Sequence, residues 1–114
     1  MYVRQNIWTL DPDPTVRSTI AVAYAAAVKE MKERSRNNPR DPTGWTYQSA
    51  RHDTGPAGIT PPGGAMEQCQ HGSWYFLAWH RMYLYFFERI VRKAVLDANG
   101  PAEFALPYWN YSTG

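Results

Sequence analysis

The sequence predicts a mainly α chain, two long helices and one short one joined by long irregular loops, and three observations carry that prediction. Apolar residues recur at spacings of three and four over residues 14–35 and again from a start within residues 73–78 to about 97, the period of an amphipathic helix. A shorter run over residues 45–52 keeps the pattern for two turns. Between this run and the last helix, residues 53–68 carry 4 glycines and 3 prolines and follow no period.

A chain of 114 residues accommodates one core at most. Its hydrophobic fraction of 44%, with 15% aromatic residues, argues against disorder and for a dense interior. The formal charge of +2 arises from 12 basic and 10 acidic residues that mostly intermix, so no footprint for nucleic acid is expected. Arg34, Arg36 and Arg40, the densest basic run, read as a solvated helix end. The longest strongly apolar run, residues 74–79, falls far short of the ~20 residues that a membrane span needs. The N-terminal residues lack the apolar core of a signal peptide, so the expectation is no membrane and, by default, a cytoplasmic protein. A single cysteine makes no internal disulfide, and the fold does not depend on an oxidising compartment.

Residues 1–12 read as an extended lead-in, with Val3, Ile7, Trp8 and Leu10 placed to lie across the core. Asp13 offers an N-cap side chain, and Pro14 a first helical residue whose missing N–H costs nothing. Val16, Ile20, Tyr24, Ala27 and Met31 then form one apolar stripe, and Ala25, Ala26 and Ala27 leave room for a neighbouring helix. Residues 37–44 hold turn chemistry, after which Trp45, Gln48 and His52 line one side of the short helix. The last helix opens within residues 73–78 and is stopped after Asp97 by Asn99, Gly100 and Pro101. Phe76, His80, Tyr83, Leu84, Phe87, Val91 and Val95 share its buried face. Residues 106–111 are extended and apolar with no closing element, which leaves the apolar face around Phe76 and Phe87 uncovered.

The chain's only histidines, His52, His71 and His80, lie between the end of one helix and the face of another. Polar rings in so aromatic a segment are costly without a partner, and imidazoles on two helices and a connecting loop can converge on one ion. An all-nitrogen set without carboxylates suits copper or zinc better than magnesium or calcium. Cys69 admits three readings at this level: a small buried hydrophobe, a soft ligand favouring zinc, or a thiol beside a redox metal.

The segment Cys69-Gln70-His71 followed by Trp79-His80-Arg81, with Phe76 before and Tyr83, Leu84, Phe87 and Glu88 after, resembles the first copper-binding region of the tyrosinase, catechol oxidase and hemocyanin family of type 3 copper proteins. Val3-Arg4-Gln5-Asn6, Met31-Lys32, the approach to His52 from Trp45, and Leu106-Pro107-Tyr108-Trp109-Asn110 resemble the family in the same order. The resemblance implies part of an antiparallel helical bundle housing a type 3 copper centre, with residues 1–114 forming the N-terminal first-copper half of a tyrosinase-like domain. It implies that His52, His71 and His80 hold that copper and that Cys69 is joined to the ring of His71 by a thioether. It further implies that Phe76 packs against the histidines, while Trp79, Arg81 and Glu88 support them or pack the helix. Arg51 and Asp53, beside His52, depart from the apolar or small residues common there, and Asn110-Tyr111 replaces the more usual Asp-Trp.

The activity implied is a copper-dependent polyphenol oxidase that converts phenols or o-diphenols to quinones with dioxygen. Two alternatives are reversible dioxygen binding without catalysis, as in hemocyanin, and a structural metal-binding module. The family's binuclear centre needs six histidines, and the three present here serve one copper. A complementary second-copper segment, whether further sequence, a separate chain or a second copy, is therefore the implied partner, with a further stretch or a separate chain favoured.

Overall fold

The computed structural model describes residues 1–9, 14–52 and 69–112, and these form three helices and no strand. The helices are α1 (Pro14–Asn37), α2 (Trp45–His52) and α3 (Phe76–Asp97). Mainly helical architecture is thus as the periodicity predicts, and α2 has the expected limits. Leu10, the Asp13 cap, residues 53–68 and the side chain of Val16 lie outside the described residues.

The core lies where α1 crosses the C-terminal half of α3. Ala23, Ala27 and Met31 of α1 are buried against Val91, Ala94 and Val95 of α3, and Phe104 folds back onto them. Small residues at three of these positions let the helices approach, while Met31, Val91 and Val95 fill the space between. Ala25, expected to help that approach, is exposed, because neighbouring residues on a helix point to different sides. Arg34 and Asp97, near the ends of their helices, pair at 2.9 Å, so the C-terminal ends of α1 and α3 lie together. Lys93 also pairs with Asp97, and its hydrogen bond is the main reason that the Asp97 carboxyl lies below its usual 3.8. The contribution of this carboxylate is therefore present above that value and fades as the pH falls below it.

The short α2 is tied to α1 by Ser35, whose hydroxyl accepts the Thr46 N–H at 2.9 Å and donates to the Met31 carbonyl at 3.2 Å. This bond sets where α2 starts and hence where its last residue, His52, ends up.

The N-terminal segment is held differently from the expectation. Val3 and Trp8 are 61% and 44% exposed rather than laid across the core. Backbone pairing fixes the segment instead: Ile7 donates to the Tyr108 carbonyl and Tyr108 to the Gln5 carbonyl, each at 2.9 Å. Trp8 packs on Trp109 with ring centres 4.5 Å apart and donates its indole N–H to Asn110. Glu88, buried on α3, completes the attachment by accepting from Arg4 at 2.6 Å, from Arg92 at 3.1 Å and from the Leu106 N–H at 3.1 Å. A single carboxylate thus joins both flanking segments to the helix that carries His80.

The apolar face expected along all of α3 is buried only towards its C-terminus. Phe76 and Leu84 are 40% and 42% exposed, because α1 and Phe104 reach no further than the turns around Val91 and Val95. Leu77, Met82, Tyr85 and Phe86 are also exposed, so among the described residues the anticipated uncovered surface is present around Phe76, whereas Phe87 is half-buried against the core and Trp45.

Helix α3 ends in a Schellman turn. Asn99 adopts φ 58°, its N–H donates to the Leu96 carbonyl at 3.0 Å, and the Gly100 N–H donates to the Val95 carbonyl at 2.8 Å. Asn99 therefore takes the left-handed position, while Gly100 is needed for close approach: a Cβ there would lie 2.5 Å from Val95 Cγ1. Gly100→Ala is expected to destabilise the fold by about 1–3 kcal/mol through this overpacking, measured as a lower urea midpoint at unchanged slope.

Candidate metal centre

Three separate pieces of chain deliver the site. His52 comes from the last turn of α2, Cys69 and His71 from the segment entering α3, and His80 from the second turn of α3. Gly72, at φ 69°, turns the backbone immediately after His71, a conformation that other residues adopt at a cost. Ser73 then accepts the Phe76 N–H at its carbonyl and opens the helix.

The three imidazoles face one another as a nearly equilateral triangle. Ring centres are 5.5 Å apart for His52 and His71, 5.2 Å for His52 and His80, and 5.1 Å for His71 and His80. The Nε2 atoms of His52 and His80 lie 3.2 Å apart. Two imidazole nitrogens that share one ion at about 2.0–2.1 Å each lie about 3–4 Å from one another, so this spacing fits a common metal. One ligand atom from each of His52, Cys69, His71 and His80 falls in a group spanning at most 4.8 Å, and such a group could hold a metal ion. Among the described residues the donor set is three neutral-capable imidazoles and a thiol, which suits copper or zinc better than magnesium or calcium.

The tautomer of His80 follows from its surroundings. Its Nδ1 lies 2.8 Å from the Phe76 carbonyl four residues earlier, an acceptor only, so Nδ1 carries the proton and Nε2 offers its lone pair to the cluster. The Phe76 ring covers the same imidazole at 4.3 Å and reaches His71 at 6.0 Å. Trp79 flanks His80 at 4.9 Å and His52 at 6.4 Å. These two aromatics are the expected neighbours that do contact the histidines. Arg81 is exposed on α3, and Glu88 engages Arg4, Arg92 and Leu106 two turns beyond His80.

Tyr83 is a contributor that the sequence reading left without a role. Its ring lies 5.7 Å from His52, and its hydroxyl donates to the Gln48 carbonyl at 2.8 Å, fastening α3 to the helix that carries His52. Burial is the main reason that the phenol lies above its usual 10.0, and Arg51 opposes the rise. The available signal was its place on the same helical face as His80, three residues on; its partner is a backbone atom, which no side-chain pattern announces.

Cys69 sits inside the cluster, with Sγ 3.6 Å from His80 Nε2, 3.7 Å from His71 Nε2 and 3.9 Å from His71 Nδ1.

The sequence pattern described as the common central domain of tyrosinase matches residues 22–114. The chain belongs to the tyrosinase family. A tyrosinase from Hahella sp. is 46% identical to it over 97% of this chain and 25% of its own length. Chloroplastic polyphenol oxidase B of Solanum lycopersicum is 36% identical over 88% of this chain and 16% of its own. Aureusidin synthase of Antirrhinum majus is 38% identical over 80% and 16%. The chain thus spans about a quarter of the Hahella tyrosinase and less of the plant proteins. The tyrosinase family comprises copper oxidoreductases with a binuclear centre, and the matched part contains the first-copper region. None of the helices among the described residues is long and apolar enough to cross a membrane.

Proposed function

We propose that His52, His71 and His80 bind the first copper of a tyrosinase-type binuclear centre and that the protein oxidises phenols or o-diphenols to quinones with dioxygen. The observation that carries this reading is the triangle of imidazoles, 5.1–5.5 Å between ring centres, built by three separate segments. Copper, when bound, supplies the electron exchange between dioxygen and the phenol, which no side chain here provides. The chain's own residues supply the rest. The Phe76 carbonyl keeps His80 in the Nδ1–H tautomer, the Phe76 and Trp79 rings wall the imidazoles, and Tyr83 fixes α2 against α3. Residues 1–114 act as the first-copper half, and three further histidines from a complementary segment or chain complete the centre. The test is the intact copper-loaded protein with a catechol: oxygen uptake coupled to quinone absorbance is expected. Two bound coppers with no turnover of any diphenol would overturn the enzymatic reading and leave a dioxygen carrier.

Cys69 favours a second reading, because a thiol among three imidazoles is also the donor set of a structural zinc site. The two readings make opposite demands on the sulfur. In the copper reading, Cys69 Sγ is bonded to a ring carbon of His71: the S–H and one ring C–H are lost, and dioxygen accepts the two electrons and two protons. That bond fixes the orientation of His71, which is otherwise exposed, and withdraws the thiol from metal binding. Mass spectrometry of the peptide spanning Cys69 and His71 is expected to show it lighter by two hydrogens and unreactive to thiol alkylation. An alkylatable Cys69 with bound zinc would support the structural site instead.

A further inference from the structure

A cleft of about 350 Å³ lies between α2 and α3, within the size range of small-molecule sites. Its walls combine the aromatic rings of Tyr47, Trp79, Tyr83 and Phe86 with the apolar side chains of Met82 and Ile90. Trp79 and Tyr83 stack at 5.4 Å with planes 12° apart, so their rings lie nearly parallel along one wall of the cleft. Into this apolar lining comes one cation, Arg51, half-buried at the end of α2 and without an ion-pair or hydrogen-bond partner among the described residues.

A guanidinium stays charged at any accessible pH, and holding it in an aromatic cleft without an acceptor is unfavourable. Its planar fork matches a carboxylate through two parallel hydrogen bonds, stronger than neutral ones. The aromatic side chains of the wall select a ring on the other end of the same ligand, by stacking and edge contacts. The volume holds one ring with a short side chain. We propose that this cleft binds a small monocyclic aryl carboxylic acid, its carboxylate on Arg51 and its ring against Trp79, Tyr83 and Phe86.

The site needs no metal and does not rest on the copper reading. It adjoins the histidine triangle in sequence, since Arg51 precedes His52 and Trp79 precedes His80.

Titration calorimetry of the intact, copper-free protein with 3-phenylpropionate tests the proposal. One saturable site is expected, with binding weakened about tenfold or more both for 3-phenylpropionamide and for Arg51→Gln, the cost of losing charge-assisted hydrogen bonds. Met82→Glu, at a position 58% exposed in this chain, is expected to weaken the acid as well by placing a like charge in the cleft. Loading copper is expected to leave the affinity unchanged. Equal binding of acid and amide, indifference to both substitutions, binding that requires copper, or no saturable binding because other polypeptide covers the cleft would each overturn it.

Discussion

Substituting alanine for His80 is expected to empty the first copper position while leaving the fold recognisable. His80 has no place in the core formed by Ala23, Ala27, Met31, Val91, Ala94, Val95 and Phe104, so circular dichroism and the urea midpoint are expected to change little. Two imidazoles remain, and the 3.2 Å pair of Nε2 atoms that suits a common ion is gone. Loss of partners that merely orient a metal ligand costs about 10–100-fold in affinity or activity, and loss of a ligand is expected to exceed that range. Copper analysis of the intact protein should fall by one ion per chain, and catechol turnover by more than about 100-fold. His80→Ala that retains both copper ions would remove this residue from the site.

The largest effect on stability is expected at Glu88. The side chains of Glu88 and Arg92 are only 12% and 13% exposed, so deleting the carboxylate leaves a nearly buried guanidinium without its counter-ion, held only by the Phe104 carbonyl, and the Leu106 N–H without its acceptor. Breaking such a pair costs about 3–5 kcal/mol when buried, and Arg4, whose side chain is 40% exposed, adds little because solvent screens it. Glu88→Ala is therefore expected to lower the unfolding free energy by about 3 kcal/mol, measured by urea denaturation. The Arg36 to Glu33 pair on the surface of α1 is the contrast: its side chains are 66% and 53% exposed, and Glu33→Ala is expected to change stability by less than ~1 kcal/mol. Equal effects at the two positions would show that Glu88 does not clamp the flanking segments.

Both predictions depend on features with different visibility in the sequence. The helices are legible because burial on one side imposes a period, and α2 is found with its limits although it has only 8 residues. The C-terminal stop of α3 is legible from Asn99 and Gly100, yet which of them turns left-handed is not, because either tolerates that conformation. His52, His71 and His80 stand out because polar rings in aromatic surroundings need a partner. Their convergence is another matter: it depends on the Ser35 to Thr46 bond, the turn at Gly72 and the Tyr83 to Gln48 bond. The last two of these involve backbone geometry or a backbone acceptor, to which periodicity is blind. The same holds for the Phe76 carbonyl that orients His80, and for Glu88, whose partner Arg4 is 84 residues away in sequence. Val3 and Trp8 were misplaced for a related reason: apolar character predicts burial, but their segment is held by main-chain pairing and by the carboxylate of Glu88.

The central claim is that three imidazoles, and not the neighbouring sulfur, hold copper in this cluster. X-ray absorption at the copper edge of the intact protein reads that coordination directly. A first shell of nitrogen or oxygen alone, at about 2.0 Å, is predicted; a sulfur scatterer at about 2.3 Å, the distance of a thiolate ligand, would contradict it.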